Sequence, residues 1–191
     1  MYGRALVKAQ LYLLEAIPPN SRILIVGGGT GWILEEITKL HSTGLHITYV
    51  DASAKMMARA QQRNAGGNQV TFITSPVEET NLSSVFDIVL TPFLFDNFTE
   101  ASMGKIFSLL DNHLAKNGIW LYSDFRDTVV PLQKAMLKVM YFFFRVSCGV
   151  EAFRLPATED CFRYHEYNIR EQKTFLNGFV VSTVYERSKP D

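Results

Sequence analysis

The chain has 191 residues, enough for one domain with a substantial core and short for two. Lysine plus arginine and aspartate plus glutamate both number 19, a balance that argues against a protein built to grip nucleic acid or anionic membranes. With 47% hydrophobic and 20% charged residues the composition is that of an ordered globular protein, not a disordered one.

Residues 3 to 16 have helical periodicity, with Leu6, Leu13 and Ile17 as inward positions, and Pro18-Pro19 stops the helix. Arg4, Lys8, Gln10 and Glu15 interrupt its apolar face, so it reads neither as a signal peptide nor as a membrane span. RILIVGGG follows, a continuous apolar run closing on glycines, as strands buried on both faces of a parallel sheet do. TGWILEEITKLH places Ile33, Leu34, Ile37 and Leu40 along one side of a helix. The alternation continues with strand LHITYVD, helix ASAKMMARAQQRN, strand QVTFIT and strand VFDIVLTPF. TEASMGKIFSLLDNHLAKNG reads as a helix capped at Gly118, before strand IWLYSDF. Strands separated by helices predict an α/β fold: a doubly wound, Rossmann-like, mostly parallel sheet with helices on both faces.

Beyond Asp127 the pattern is less regular. An apolar helix is expected at about 129–147, inserted into a single domain spanning 1–191, then more helix to about Leu176 and one last strand, FVVSTVYER. Lys134, Lys138 and Arg145 break the apolar stretch too often for a bilayer crossing. Cys148 and Cys161 form no CxxC pair and have no histidines at zinc spacing, so no metal is expected and both are read as reduced thiols of a cytoplasmic protein.

The chemistry concentrates in ILIVGGGTGWILEEI. A strand that ends in Gly27, Gly28, Gly29 and Gly31 and turns directly into a helix brings bare backbone amides to a ligand, with the helix terminus adding partial positive charge. A dinucleotide fingerprint, G-x-G-x-x-G, puts its third glycine at the position Trp32 occupies, which weakens a pyrophosphate reading and leaves a nicotinamide-dependent reductase as the weaker alternative. Asp51, closing the second strand, is placed where an acid accepts both hydroxyls of a ribose; capping the next helix is the plainer role.

The G-x-G-x-G spacing of GGGTG resembles motif I of the class I S-adenosylmethionine-dependent methyltransferases, and DASAKMMARA is similar to that family's stretch after the second strand. The resemblance covers about residues 20 to 125. It implies the class I methyltransferase fold and S-adenosylmethionine as cofactor, with Gly27, Gly28, Gly29 and Gly31 around the methionine part, Asp51 on the ribose, and Ala52 and Met56 beside adenine. FITSPVEE resembles the segment whose acid accepts from the adenine amine; Ser75 stands there, so recognition passes to its hydroxyl and to the backbone of Pro76 and Val77. FDIVLTPFLFDNF resembles motif IV, which brings Thr91, Pro92 and Phe93 to the site.

Two departures stand out. Ile25 occupies the position of the family's usual acid before the first glycine, which leaves the cofactor ammonium to backbone carbonyls near Gly27 and Thr91, or to Tyr2 or Tyr12. The family's closing antiparallel pair is represented by one strand, so the sheet is expected to lack its last strand, with the edge at Val180 to Tyr185 exposed or covered by a second copy in a homodimer. Asp96, Asp124 and His165 are the candidate bases. The expected activity is methyl transfer to a small, apolar or aromatic acceptor, under a cover carrying Met136, Met140, Tyr141, Phe143 and Phe144; a non-catalytic binding module for S-adenosylmethionine or S-adenosylhomocysteine is the alternative.

Overall fold

The computed structural model describes residues 2–126, 128, 130, 133 and 157–188. The apolar helix expected at about 129–147, with its proposed cover residues, and Cys148 lie outside them. In chain order the elements are α1 (Tyr2–Leu14), β1 (Arg22–Val26), α2 (Trp32–Leu40), β2 (Thr43–Asp51), α3 (Ala54–Ala60), β3 (Gly67–Thr74), β4 (Phe86–Pro92), α4 (Glu100–Asn112), β5 (Leu114–Phe125), α5 (Thr158–Tyr164), β6 (Tyr167–Phe175) and β7 (Val180–Arg187).

Seven strands form one sheet in the order β3-β2-β1-β4-β5-β7-β6. The first five are parallel, while β7 runs antiparallel to β5, and β6 antiparallel to β7. The order reverses between β1 and β4, which makes the carboxyl ends of these strands the place where a crevice opens.

The two-residue period of each strand divides the core. Ile23, Ile25, Ile47, Tyr49, Ile88 and Leu90 face Leu13 and Leu14 of α1, Ile33, Leu34 and Ile37 of α2, and Met57 and Ala60 of α3. Leu24, Val26, Val50, Val89, Trp120 and Tyr122 face Met103, Ile106, Phe107 and Leu110 of α4 and Phe162 of α5. Burying each such side chain contributes about 1.5–3 kcal/mol, which is why continuous apolar strands identify a sheet covered on both faces. Trp120 stacks on Phe107 with ring centroids 4.7 Å apart, locking α4 to β5.

The sheet does not lack its last strand. Residues 167–175, expected to be helical, form β6, and β7 pairs with β5 on one side and β6 on the other. Val180 to Tyr185 is therefore interior to the sheet, and the open edge that motivated a homodimer is absent there. A second correction concerns α4, which ends at Asn112 rather than at Gly118. His113 closes it, its Nδ1 and Nε2 lying 2.8 Å and 2.7 Å from the carbonyls of Leu109 and Leu82. Gly118 lies within β5, where a Cβ would come 2.9 Å from the Asp87 carbonyl oxygen.

Candidate functional site

The glycine loop leaves β1 and enters α2 with Gly31 as its N-cap. Gly29 has φ +63° and would project a Cβ into open space, so the loop presents bare backbone there. Gly28 and Gly31 serve packing instead: a Cβ on Gly28 would meet the Tyr49 hydroxyl at 2.4 Å, and one on Gly31 would meet Ala60 Cα at 2.6 Å. Trp32, half-buried, is the first residue of α2.

Asp51 closes the loop from β2. Its Oδ2 accepts the Gly29 N–H at 2.9 Å and its Oδ1 the Ser53 N–H at 2.9 Å. Ser53, not Asp51, is the N-cap of α3, accepting from the Met56 N–H. The plainer role for Asp51 is thus filled by its neighbour. The Tyr49 hydroxyl donates to the Gly29 carbonyl at 3.1 Å, so both backbone groups of Gly29 are held from β2. Burial pushes the Tyr49 phenol well up, keeping it a neutral donor.

Above these strand ends lies a cavity of about 680 Å³. Of the residues singled out in the sequence, Gly27, Gly29, Asp51, Ala52, Met56, Ser75, Pro76, Val77, Pro92 and Phe93 line it. Gly28 and Gly31 lie behind the loop, and Thr91 is fully buried with its hydroxyl oxygen accepting the Trp120 indole N–H at 2.9 Å. Thr91 therefore belongs to the core under α4 and not to the cavity wall. Sequence reasoning missed Val26 and Val50 at the ends of β1 and β2, Ser53 just beyond β2, and also Glu78, Leu94, Asn97 and Phe98, as lining residues. Glu78 follows Val77 in a short 3₁₀ turn, and Leu94, Asn97 and Phe98 belong to the loop after β4, whose fold no periodicity announces.

The candidate bases are not brought together at the cavity. Asp96, within the loop that lines it, and Asp124, at the end of β5, are 3% and 2% exposed and neither lines the cavity. Asp124 Oδ2 accepts from the amides of Phe95 and Asp96, and its Oδ1 from that of Phe125. Burial pushes Asp124 up to about 7 and Asp96 well above the usual carboxylate range, the Asp124 charge adding to the rise at Asp96. His165 lies near the opposite ends of the strands, its Nδ1 3.1 Å from Asp111 Oδ2, in a cluster where Asp111 also accepts from Tyr167 and Arg187. That cluster ties α4 and α5 to β6 and β7, so His165 is a structural partner rather than a base at the crevice.

One further expectation is corrected, that of Tyr12 as a partner for the cofactor ammonium. Ile25 is fully buried against α1 and α2, and the Tyr12 hydroxyl turns to Glu171 of β6 at 3.5 Å rather than to the crevice. The side chain of Tyr2 lies outside the described residues. A smaller hollow of about 280 Å³ beside Arg22, His46 and Gln69 opens at the amino ends of the strands and contains none of the crevice's glycines or acids.

A glycine loop, an acid on the adjacent strand and a crevice at the switch point define a nucleotide-type site on a class I methyltransferase fold. The family model for a methyltransferase domain matches residues 23–118, and the chain belongs to that family. A malonyl-[acyl-carrier protein] O-methyltransferase of Bacillus cereus is 35% identical over 104 residues, a match covering 54% of this chain and 37% of that protein. The chain thus spans little more than a third of the length of that curated relative. Among solved structures, the N-methyltransferase NodS of Bradyrhizobium japonicum in complex with S-adenosyl-L-homocysteine superposes with a TM-score of 0.72 at 14% identity, covering 97% of this chain and 87% of that one. Magnesium protoporphyrin IX methyltransferase of Synechocystis PCC 6803, with the same product bound, gives 0.71 at 18% identity, covering 98% and 84%. At these identities the structural likeness is one of fold.

Proposed function

We propose that the chain binds S-adenosylmethionine in the crevice and transfers its methyl group to a small, apolar or aromatic acceptor. The observation that carries this reading is the Gly29–Asp51 contact beside the 680 Å³ cavity, which joins bare amides and a carboxylate on adjacent strand ends. The donor set fits the cofactor. Each Asp51 oxygen accepts one backbone N–H and keeps a lone pair for one hydroxyl of a ribose diol. Gly27 and Gly29 offer main-chain groups to the amino-acid end, Ala52, Met56 and Val77 supply apolar contact for adenine, and Ser75 and Pro76 close that end. Gly28, Gly31 and Thr91 shape the loop and strand from behind.

When bound, S-adenosylmethionine supplies a methyl on a sulfonium, a good leaving group, so the protein contributes mainly alignment and exclusion of water. Pro92, Phe93, Leu94 and Phe98 make an apolar wall on the β4 side, which suits an apolar or aromatic acceptor. No group among Asp96, Asp124 and His165 lines the cavity, so the reading assigns none of them as general base. The acceptor then arrives as a nucleophile in its own right. A cytoplasmic location is part of the proposal, supported by the free thiol of Cys161.

The absence of these three acids and bases from the cavity wall also favours a second reading, a binding module without turnover. Incubation with methyl-labelled S-adenosylmethionine and a panel of small phenols, amines and carboxylic acids separates the two. A malonyl thioester belongs in the panel because the Bacillus cereus relative is named for one. Label on an acceptor with equimolar S-adenosylhomocysteine supports the enzyme; tight cofactor binding without product in any arm supports the module.

A further inference from the structure

Two interior carboxyl groups, Asp96 and Asp124, remain without a part in the proposed transfer. Their geometry is specific. After β4 the chain turns back through Phe93, whose φ of +53° is unusual for a side chain of that size and whose N–H donates to the Ser123 carbonyl at 2.7 Å. The 3₁₀ turn Phe95–Asn97 follows, with no side-chain cap of its own from Leu94. Its leading amides would be orphaned in a buried place. Asp124, at the end of β5, takes them: Oδ2 accepts from Phe95 N–H at 3.1 Å and from Asp96 N–H at 3.3 Å, while Oδ1 accepts from Phe125 N–H at 2.8 Å.

From that turn the crevice wall hangs. The Asn97 side-chain amide donates to the carbonyls of Phe93 and Leu94, each at 3.1 Å, and to Asp96 Oδ1 at 2.7 Å. Leu94 in turn presses on the glycine loop, since a Cβ on Gly27 would lie 2.9 Å from its Cδ1. A displacement of the turn therefore moves both the β4 wall and the support of Gly27.

The two acids are not equivalent. Three backbone donors favour the anion at Asp124, whereas Asp96 has the Asn97 side-chain amide and its own backbone N–H as donors and faces the charge of its neighbour. Among the described residues, the other titratable groups around the pair are Tyr122 on β5, a buried phenol raised first by burial and then by Asp124, Tyr185 on β7, and Glu159 of α5, which pairs with Arg126. Asp51 and Glu78 stand across the cavity.

We infer that Asp124 is a positioning residue for the cofactor crevice: its carboxylate holds the Phe95–Asn97 turn, and through it Leu94, Asn97 and Phe98. The inference rests on the cofactor reading above. Protonation of Asp124 removes acceptor capacity from a carboxyl that serves three amides, so the wall loosens as pH falls through the neutral range.

The test is calorimetric titration of wild type and Asp124→Asn with S-adenosylhomocysteine at pH 6, 7 and 8, with circular dichroism as a check on folding. Asparagine keeps the shape, but its NH₂ confronts amides that need an acceptor, so affinity at pH 8 falls about tenfold. Wild-type affinity weakens several-fold from pH 8 to pH 6, and that of D124N changes little over the same range. Wild type that does not bind at pH 8 overturns the cofactor reading and this inference with it. Wild type that binds beside a folded D124N of equal affinity and equal pH profile overturns this inference alone. Should D124N fail to fold, the wild-type profile decides, and a flat profile from pH 6 to pH 8 overturns it.

Discussion

Asp51 accepts the Gly29 amide at 2.9 Å across the gap between β2 and the glycine loop, and it leaves the capping of α3 to Ser53. The contact joins the two sequence features on which the cofactor site depends. Asp51→Asn turns one acceptor oxygen into a donor, so it opposes either Gly29 N–H or Ser53 N–H. S-adenosylhomocysteine affinity should fall about 10–100-fold, the range for losing a hydrogen bond to a charged group. Titration calorimetry checks it, and unchanged affinity would remove Asp51 from the site.

Two glycines of the same loop should separate stability from binding. Gly31→Ala forces a Cβ to 2.6 Å from the Ala60 backbone at φ +74°, a clash with α3 that should cost about 2–4 kcal/mol in urea unfolding. Gly29→Ala meets no atom within 4 Å, so its stability loss should stay near the ~1–2 kcal/mol of a left-handed alanine. Its methyl instead enters the space where ligand is expected, and S-adenosylhomocysteine binding should drop more steeply than folding.

Asp96 gives stability a pH dependence of known sign. Its folded value lies well above the ordinary one, so the folded state holds a proton that the unfolded chain releases near pH 4. The stabilisation is complete below that pH and is lost as pH rises towards the folded value. Asp96→Asn mimics the neutral acid and removes the effect. Unfolding free energies of wild type and variant should diverge in favour of the variant by up to about 1.4 kcal/mol per pH unit between pH 5 and pH 8. Parallel curves would show that Asp96 is ionised in the fold.

His165→Ala should leave S-adenosylhomocysteine affinity within experimental error and lower stability by about 1 kcal/mol. The residue contacts Asp111 in the cluster with Tyr167 and Arg187, away from the crevice. A large loss of binding with intact folding would contradict this placement.

The glycine loop and Asp51 were legible in the sequence because their local requirement is severe: backbone approach excludes side chains, and a strand-end acid sits at a fixed distance along the chain. The buried strands were legible as continuous apolar runs. β6 was not, because residues 168–174 are all exposed on an edge strand and show no hydrophobic period. One signal was available. Leu176, Asn177 and Gly178 have φ of 52°, 55° and 88°, and an Asn-Gly pair before a strand marks a hairpin. The interior positions of Asp96, Asp124 and Thr91 depend on how the loop after β4 packs on β5, a tertiary contact that spacing along one strand does not encode. His165 was misplaced for the same reason as β6, since the strand beginning at Tyr167 carries it to the amino ends of the sheet.

The central claim is that the crevice beside Gly29 and Asp51 is built for an adenosyl-methionine ligand. Calorimetric titration of the wild-type protein with S-adenosylhomocysteine and, separately, with NAD tests it most directly. Saturable one-to-one binding of S-adenosylhomocysteine, abolished or strongly weakened by Gly29→Ala, with no binding of NAD, is the predicted result. Absence of S-adenosylhomocysteine binding, or tighter binding of NAD, would contradict it.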